Sequence, residues 1–170
     1  MLSLIISLSK EYPTRMINKI EPRKKVVIGI SLVFLIISLT QPAFYTANDS
    51  QDALNLSSAG IFFLGWMGIF SGAVETIFWI ANPLYILALF LFIKNNKKGV
   101  LVSIASSVLA ISFTMLNTFF ANEGGGRVAI TGYGLGYYFW VSSLCSMSIG
   151  MLLTEILVPN NKFSKRFNVY

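Results

Sequence analysis

Long apolar runs alternate with polar segments along this chain of 170 residues, and these runs predict its elements. A helix needs about 20 consecutive apolar residues to cross the hydrocarbon core of a bilayer, which is about 30 Å thick. Four runs meet that length, and they predict spans over residues 26–45, 73–93, 99–120 and 137–158. The pattern therefore predicts an all-α fold, an integral membrane four-helix bundle over residues 26–158.

The apolar stretch over residues 59–93 is too long for a single crossing. As one helix it would rise about 50 Å, against a bilayer core of about 30 Å. We expect residues 59–71 to form an extra interfacial or re-entrant segment before the second span, with Trp66 as an anchor at the membrane interface. The residues that can interrupt the stretch are Gly65, Gly68, Gly72, Glu75, Asn82 and Pro83.

Composition and charge agree with a membrane protein, because 55% of the residues are hydrophobic and only 12% are charged. The net charge of +6 comes from basic residues that flank the apolar runs and form no patch interleaved with aromatics, which argues against nucleic acid as a partner. Every basic residue except Arg127 lies before the first run, between the second and third, or after the fourth. By the positive-inside rule, we expect a multi-pass protein of the bacterial inner membrane with both termini cytoplasmic. Residues 1–25 then form a cytoplasmic or interfacial segment, and residues 159–170 form a basic cytoplasmic tail.

The residue types that carry most metal and nucleophilic chemistry are scarce. The chain has no histidine and a single cysteine, Cys145, which removes the usual zinc and haem ligand sets and any internal disulfide. Serines are plentiful, but no histidine or motif-bound lysine is present to act as their base. We expect no catalytic residues, no metal and no cofactor.

Glu75 stands in an apolar stretch, where a carboxylate costs about 2.5–3.5 kcal/mol at a helix centre. If the second helix begins near residue 73, Glu75 lies in its first turn, and its carboxylate can meet free backbone N–H groups. The alternative is a functional site for a proton, a cation or a basic group. Arg127 is the one basic partner expected on that side of the membrane.

Asn82 and Pro83 fall near the middle of the second predicted span. Proline removes one backbone hydrogen bond and frees a carbonyl about one turn earlier, so we expect a kink. The freed carbonyl needs a partner in the membrane, and Asn82 or a hydroxyl of the serine-rich third helix can supply it. The alternative is a ligand or ion site at the break.

Small residues recur four apart in several of the runs. This spacing lets helices approach closely, either within one bundle or between subunits. The residues concerned are Gly68 and Gly72, Ser103 and Ser107, and Ser142, Ser146 and Gly150.

Short aromatic motifs mark the second and fourth predicted spans and the segment before the second. They are Gly65-Trp66, then Trp79 followed by Ala81-Asn82-Pro83, then Gly136-Tyr137-Tyr138-Phe139-Trp140. In this pattern the chain resembles a group of small four-span bacterial inner-membrane proteins of unknown function. The resemblance runs from Phe63 to Leu152 and excludes the first helix and both tails. It implies location and topology only, because the group has no assigned activity or binding residues.

Close packing faces, short loops and the lack of a catalytic set favour a non-enzymatic function. We expect an accessory or assembly partner of a membrane complex, in contact with the lipid bilayer and with another membrane protein or a second copy of itself. One alternative is a small oligomeric carrier or channel that uses the broken second span, and another is an immunity protein against a membrane-targeted toxin. The candidate functional or packing positions are Glu75, Asn82, Pro83, Arg127, Trp66 and Trp140.

Overall fold

The computed structural model of the chain describes residues 21–46, 57–70, 72–120 and 126–157. The predicted N-terminal segment as far as residue 20 and the predicted basic tail lie outside these ranges. The helices are α1 (Pro22–Leu39), α2 (Ser58–Leu64), α3 (Glu75–Trp79), α4 (Ala81–Ile93), α5 (Lys98–Ser112) and α6 (Leu135–Leu157), and 3₁₀ turns follow α2 at Gly65–Ile69 and α5 at Phe113–Met115. The strands are β1 (Phe44–Thr46), β2 (Thr118–Phe120) and β3 (Arg127–Tyr133).

Among the described residues, three helical segments are long and apolar enough to cross a membrane. They are Glu75–Ile93, with 19 residues, Lys98–Met115, with 18, and Leu135–Ile156, with 22. They correspond to three of the four predicted spans. The prediction of a predominantly helical chain is confirmed, and three helices of this length and composition indicate a membrane protein.

Helix α1 also has 18 residues, but it opens with Pro22 followed by three basic residues. Its uncharged part, from residue 26 to residue 39, rises about 21 Å, less than a bilayer core of about 30 Å. The helix ends at Leu39, short of the predicted boundary at residue 45. Thr40 Oγ1 closes the last turn by donating to the Ile37 carbonyl at 2.8 Å, and the chain continues into β1.

A small antiparallel sheet joins the chain after α1 to the chain before α6, and the apolar pattern did not predict it. The strand order is β1-β3-β2, with Phe44 opposite Tyr133 and Thr118 opposite Ala129. Side chains of β3 alternate between exposed and half-buried, the two-residue period of a strand with one face on the protein. We call this part of the molecule the sheet end.

Helices α1 and α6 run antiparallel along small residues that we call the α1–α6 seam: Ser31 and Ser38 of α1, with Gly136, Ser143 and Gly150 of α6. Ser31 Oγ donates to the Ser143 carbonyl at 2.9 Å, and Ser143 Oγ donates to the Ser31 carbonyl at 2.8 Å. Ser38 Oγ donates to the Gly136 carbonyl at 2.8 Å. The three α6 residues are seven apart, so they lie on one face of the helix and let the backbones approach.

Serine hydroxyls also connect the other helices, as the serine content of the third span suggested. Ser106 Oγ donates to the Ala81 carbonyl at 2.8 Å between α5 and α4. The hydroxyls of Ser107 and Ser148 are hydrogen-bonded at 2.8 Å between α5 and α6. The core beside these bonds is filled by side chains at most 1% exposed: Ala81, Ala88, Ala110, Leu144, Met147 and Met151.

The end of the bundle opposite the sheet gathers basic residues of α1 and of the turn between α4 and α5, and we call it the basic end. Lys24 is 6% exposed. Its Nζ donates to the Phe92 carbonyl at 2.9 Å and to Asn95 Oδ1. The first of these bonds gives a partner to a backbone carbonyl in the last turn of α4. Lys97 pairs with Glu155 at 3.9 Å on the surface. The described basic segments that the charge pattern assigned to one side of the membrane therefore share one end of the bundle.

The close packing at the α1–α6 seam predicts that alanine has different effects on stability at Gly150 and at Gly29. A Cβ at Gly150 would overlap the side chain of Val27, whereas a Cβ at Gly29 would meet nothing within 4 Å. Gly150→Ala should therefore lower the free energy of unfolding by about 1–3 kcal/mol. Gly29→Ala adds helix propensity without a clash and should not lower it. The measurement is SDS-induced unfolding in mild detergent, followed by circular dichroism. Equal unfolding curves for the two variants would contradict the close approach of α1 and α6.

Candidate functional site

A cavity of about 430 Å³ opens at the sheet end of the bundle. Its walls are the end of α1, strand β1, α2 with its 3₁₀ turn, α3, the starts of α4 and α6, the 3₁₀ turn after α5, and strand β2. Cavities that bind small molecules have volumes of about 300–1,000 Å³. Most of the wall is apolar, and its aromatic members include Phe44, Phe78, Trp79, Phe113, Tyr137 and Trp140.

One side of the cavity is a short helical hairpin formed by α2, its 3₁₀ turn and α3. It contains residues 59–70 of the predicted interfacial or re-entrant stretch 59–71, and the apolar helix here, Ser58–Ile69, is too short to span. The chain turns back at Gly72, which adopts a φ of +65° that few residues other than glycine accept. Trp79 Nε1 donates to the Phe62 carbonyl at 2.9 Å, which fastens α3 to α2.

Gly65 and Gly68 let this hairpin close. A Cβ at Gly65 would run into the indole of Trp79, and a Cβ at Gly68 would overlap the hydroxyl of Thr76. Any larger residue at these positions would push α2 away from α3 and change the cavity wall. The sequence identified both glycines as possible breaks and Gly68 also as a close-packing position, and in the structure both glycines allow close approach.

Glu75 lies in the first turn of its helix, as predicted, and lines the cavity with a side chain that is 6% exposed. Arg127 Nη1 is 3.9 Å from Glu75 Oε1, too far for a direct hydrogen bond. Neither carboxylate oxygen accepts a hydrogen bond from the described part of the chain, so the expected backbone cap is not formed. Glu75 is a buried acceptor on the cavity wall, with its ion-pair partner outside the lining.

Two hydroxyls on the cavity wall are also buried without a hydrogen-bond partner among the described residues. Ser58 and Thr76 are each 8% exposed, and neither hydroxyl has a hydrogen-bond partner among the described residues. An unsatisfied buried polar group costs about 1–3 kcal/mol. Together with Glu75, these hydroxyls give an apolar cavity a set of unmatched polar atoms.

The helix is interrupted at Ile80, between α3 and α4, about one turn before Pro83, where the prediction placed the freed carbonyl. Pro83 lies exposed in the first turn of α4, where its missing N–H is tolerated. Asn82 is 5% exposed, and its Oδ1 accepts a hydrogen bond from Trp140 Nε1 at 2.9 Å. Ser106 of the third predicted span donates to the Ala81 carbonyl, so the expected hydroxyl lies beside the break but bonds a different carbonyl from the one that Pro83 frees.

The structure brings four of the predicted positions together in two pairs, Glu75 with Arg127 and Asn82 with Trp140. Trp140 lines the cavity and anchors α6 to α4. Trp66 stands apart from these pairs, because it is 41% exposed, packs edge-on against a neighbouring ring and lies outside the lining. Its role as an anchor at the membrane interface stays a prediction.

Sequence reasoning missed Ser58 and Thr76, since single hydroxyls in an apolar run have no spacing signal. One usable signal was that Thr76 directly follows Glu75, so both lie in the same helical turn. Among the described residues, no group of three His, Cys, Asp or Glu side chains could hold a metal ion.

Tyr133 of β3 holds the sheet against the 3₁₀ turn that follows α5. Burial, together with the neighbouring Tyr138, raises the pKa of the Tyr133 phenol above its ordinary value. The phenol is protonated at physiological pH, and its single O–H is shared between the carbonyls of Phe113 and Leu116, at 3.5 and 3.3 Å. This contact fixes the wall of the cavity that contains Phe113.

The chain matches no known protein-family model, no curated protein and no solved structure. The resemblance to small four-span bacterial inner-membrane proteins therefore stays a prediction. Conclusions about the site rest on its geometry, an apolar cavity whose wall contains a buried carboxylate.

The hydrogen bond between Trp140 and Asn82 makes a prediction with a matched control. Trp140→Phe removes the indole N–H and leaves buried Asn82 Oδ1 without its donor. The free energy of unfolding should fall by about 1–3 kcal/mol for the lost bond, plus a contribution from the smaller ring. Trp66→Phe makes the same change at an exposed ring and should stay within about 0.5 kcal/mol of wild type. SDS unfolding in mild detergent measures both, and an equal loss in the two variants would contradict the anchoring role.

Proposed function

We propose that the chain is a non-enzymatic four-span protein of the bacterial inner membrane that binds a small lipophilic ligand in the cavity at its sheet end. In this proposal it acts as an accessory or assembly partner of a membrane complex. The observation that supports binding best is the buried carboxylate on the wall of an apolar cavity of about 430 Å³. Apolar walls with a few placed polar groups are the usual make-up of small-molecule sites.

Helix α1 is the additional span in this proposal. The contact between α1 and α6 runs from Ser38 beside Gly136 to Val27 beside Gly150, so α1 lies along residues 136–150 of a helix long enough to cross a membrane. Lys24, in the first turn of α1, reaches the last turn of α4. The basic start of α1 therefore lies level with the end of another candidate span. At this level the methylene groups of a lysine can lie against apolar surface while its ammonium reaches the lipid headgroups.

The orientation follows from the charges of the two ends. The basic end carries Lys24, Lys97 and their described basic neighbours, whereas the described sheet end carries Arg127, which faces Glu75. The positive-inside rule then assigns the basic end and both termini to the cytoplasm. The cavity accordingly opens on the outer side of the membrane.

Binding without turnover fits the lining of the cavity. Glu75 is the one carboxylate among the described lining residues, and no histidine, cysteine or lysine accompanies it there. Of the side chains that commonly carry general acid–base chemistry, the described lining has Glu75 and Tyr137, and the Tyr137 phenol already donates to the Ala110 carbonyl at 2.9 Å. The lining therefore supports recognition of a ligand more than its conversion.

We favour binding over transport because the bundle core is filled beyond the cavity. Along α4 the lining reaches Asn82, and the next inward residues, Tyr85, Ala88 and Phe92, are at most 5% exposed. The Tyr85 hydroxyl is hydrogen-bonded to the Ser31 hydroxyl at 2.7 Å. A carrier pathway through this described core would require the helices to separate.

Cysteine accessibility tests the threading. In a Cys145→Ser background, single cysteines replace four exposed residues, Glu21, Ser57, Lys97 and Thr131. A membrane-impermeant maleimide added to intact cells should label the cysteines at 57 and 131, and should label those at 21 and 97 only after permeabilisation. Labelling at 21 and 57 from the same side would remove α1 as a span. Labelling at 97 and 131 from the same side would remove the helix over Lys98–Met115.

Photolabelling tests the cavity. The probe is dodecanol with a diazirine in its chain, applied to the full chain in phosphatidylcholine nanodiscs, with labelled peptides identified by mass spectrometry. Ile61 lines the cavity, so Ile61→Trp should fill part of it and reduce labelling of the lining peptides severalfold. Ile77 is exposed and outside the lining, so Ile77→Trp should leave labelling unchanged. Labelling spread evenly over lipid-facing peptides in all three proteins would contradict a binding site.

A further inference from the structure

We propose that the ligand of this cavity has a primary ammonium group, bound by Glu75, on an apolar body. This inference rests on the proposed binding function and adds the chemical class of the ligand. It is based on three buried groups without hydrogen-bond partners in the described part of the chain, the carboxylate of Glu75 and the hydroxyls of Ser58 and Thr76. All three residues are more than nine-tenths buried.

The hydrogen-bonding requirements of the site match an ammonium group. An ionised carboxylate only accepts hydrogen bonds, and the two oxygens of Glu75 accept none from the described chain. The hydroxyls of Ser58 and Thr76 can accept as well as donate. A primary ammonium supplies three donors and needs no acceptor, so it can satisfy Glu75 without creating a new unmatched group.

Arg127 does not supply the hydrogen bonds that the Glu75 carboxylate lacks. Its guanidinium is 3.9 Å from Glu75 Oε1, and its side chain is 46% exposed outside the lining. Its charge attracts the Glu75 carboxylate and so lowers the free-energy cost of burying it. The two oxygens of the carboxylate still lack hydrogen-bond donors among the described residues. An ammonium that enters through the cavity can make them directly, and hydrogen bonds between charged groups are about twice as strong as neutral ones.

The aromatic wall favours a cation over a neutral head group. The N–H groups of Trp79 and Trp140 already donate to the Phe62 carbonyl and to Asn82 Oδ1. What these indoles can offer a ligand is therefore their ring surface, which attracts cations. An anionic head group would meet the charge of Glu75 on the wall of the same cavity, so a carboxylate ligand is disfavoured.

Two sources can supply this chemistry, the amine of an aminophospholipid with an acyl chain in the cavity, or a free alkylamine. Both place a primary ammonium at Glu75 and an apolar chain along the aromatic wall. A trimethylammonium head group has the charge but no N–H donor, which makes it a sharp comparison.

The experiment compares three photoreactive probes with the same diazirine-bearing dodecyl chain, namely dodecylammonium, dodecyltrimethylammonium and dodecanol. The wild-type full chain in phosphatidylcholine nanodiscs should be half-labelled at the cavity by dodecylammonium at a concentration about tenfold lower than by either other probe. Glu75→Gln should abolish this preference and keep labelling by dodecanol. Glu155→Gln, the same change at the surface of the basic end, should leave the preference intact.

The outcomes separate the two proposals. Equal labelling by all three probes in the wild type would overturn the ammonium inference and leave ligand binding standing, whereas absent cavity labelling by every probe would overturn both. A preference that persists in Glu75→Gln would also overturn the inference. Because the wild-type comparison needs no mutation, it decides the question even if Glu75→Gln fails to fold.

Phosphatidylethanolamine in the nanodiscs distinguishes the sources. If the lipid head group is the ligand, it should compete and raise the dodecylammonium concentration needed for half-labelling severalfold. If a free amine is the ligand, the concentration should not change. Either result supports a site for a primary ammonium and identifies which molecule supplies it.

Discussion

The arrangement of the whole bundle depends on the close contact between α1 and α6. Lipid tails are as apolar as helix surfaces, so burial of apolar area does not draw helices together in a bilayer, and small residues with interhelical hydrogen bonds do so instead. Ser31 and Ser143 exchange such bonds in both directions. At the sheet end the same contact holds Gly136 against the chain that leaves α1, where its N–H donates to the Pro42 carbonyl at 2.9 Å. No larger residue fits at Gly136, because a Cβ there would meet the backbone.

The contact between α1 and α6 brings the strands of the sheet together, and the sheet in turn brings Arg127 to Glu75. Because α6 begins where α1 ends, β3 just before α6 lies beside β1 just after α1, and the Gly134 N–H donates to the Ala43 carbonyl at 2.8 Å. Strand β3 extends away from this point, and Arg127 stands at its far end. That geometry brings Arg127 to within 3.9 Å of Glu75, although the two residues belong to distant parts of the chain. The ion pair at the cavity therefore depends on the contact between α1 and α6, through the sheet that this contact positions.

The sequence predicted the long helices because a bilayer imposes a minimum length that consecutive residues must meet. Contacts between helices were harder to predict, since a helix can carry several faces of small residues and only its neighbour decides which one is buried. The four-residue spacing pointed to Ser142, which is exposed, whereas the seam uses Ser143. Strands β1 and β2 have three residues each, too short for their alternation to be detected, and the seven residues of β3 stand among glycines that are typical of a loop, so the sheet was missed. Glu75 and Arg127 could be assigned to one side of the membrane, but their contact required the sheet.

The polar atoms on the cavity wall lower the stability of the fold, and this cost is informative about the site. The hydroxyls of Ser58 and Thr76 each cost about 1–3 kcal/mol when unpaired, and an ionised carboxylate costs more. An apolar wall screens charge poorly, so it raises the cost of Glu75 and strengthens by the same physics any hydrogen bond that a charged ligand makes to it. A ligand that satisfies these atoms binds only the folded chain, because the unfolded chain has no cavity. It therefore stabilises the fold by mass action, and most strongly when its donors match the acceptors of Glu75.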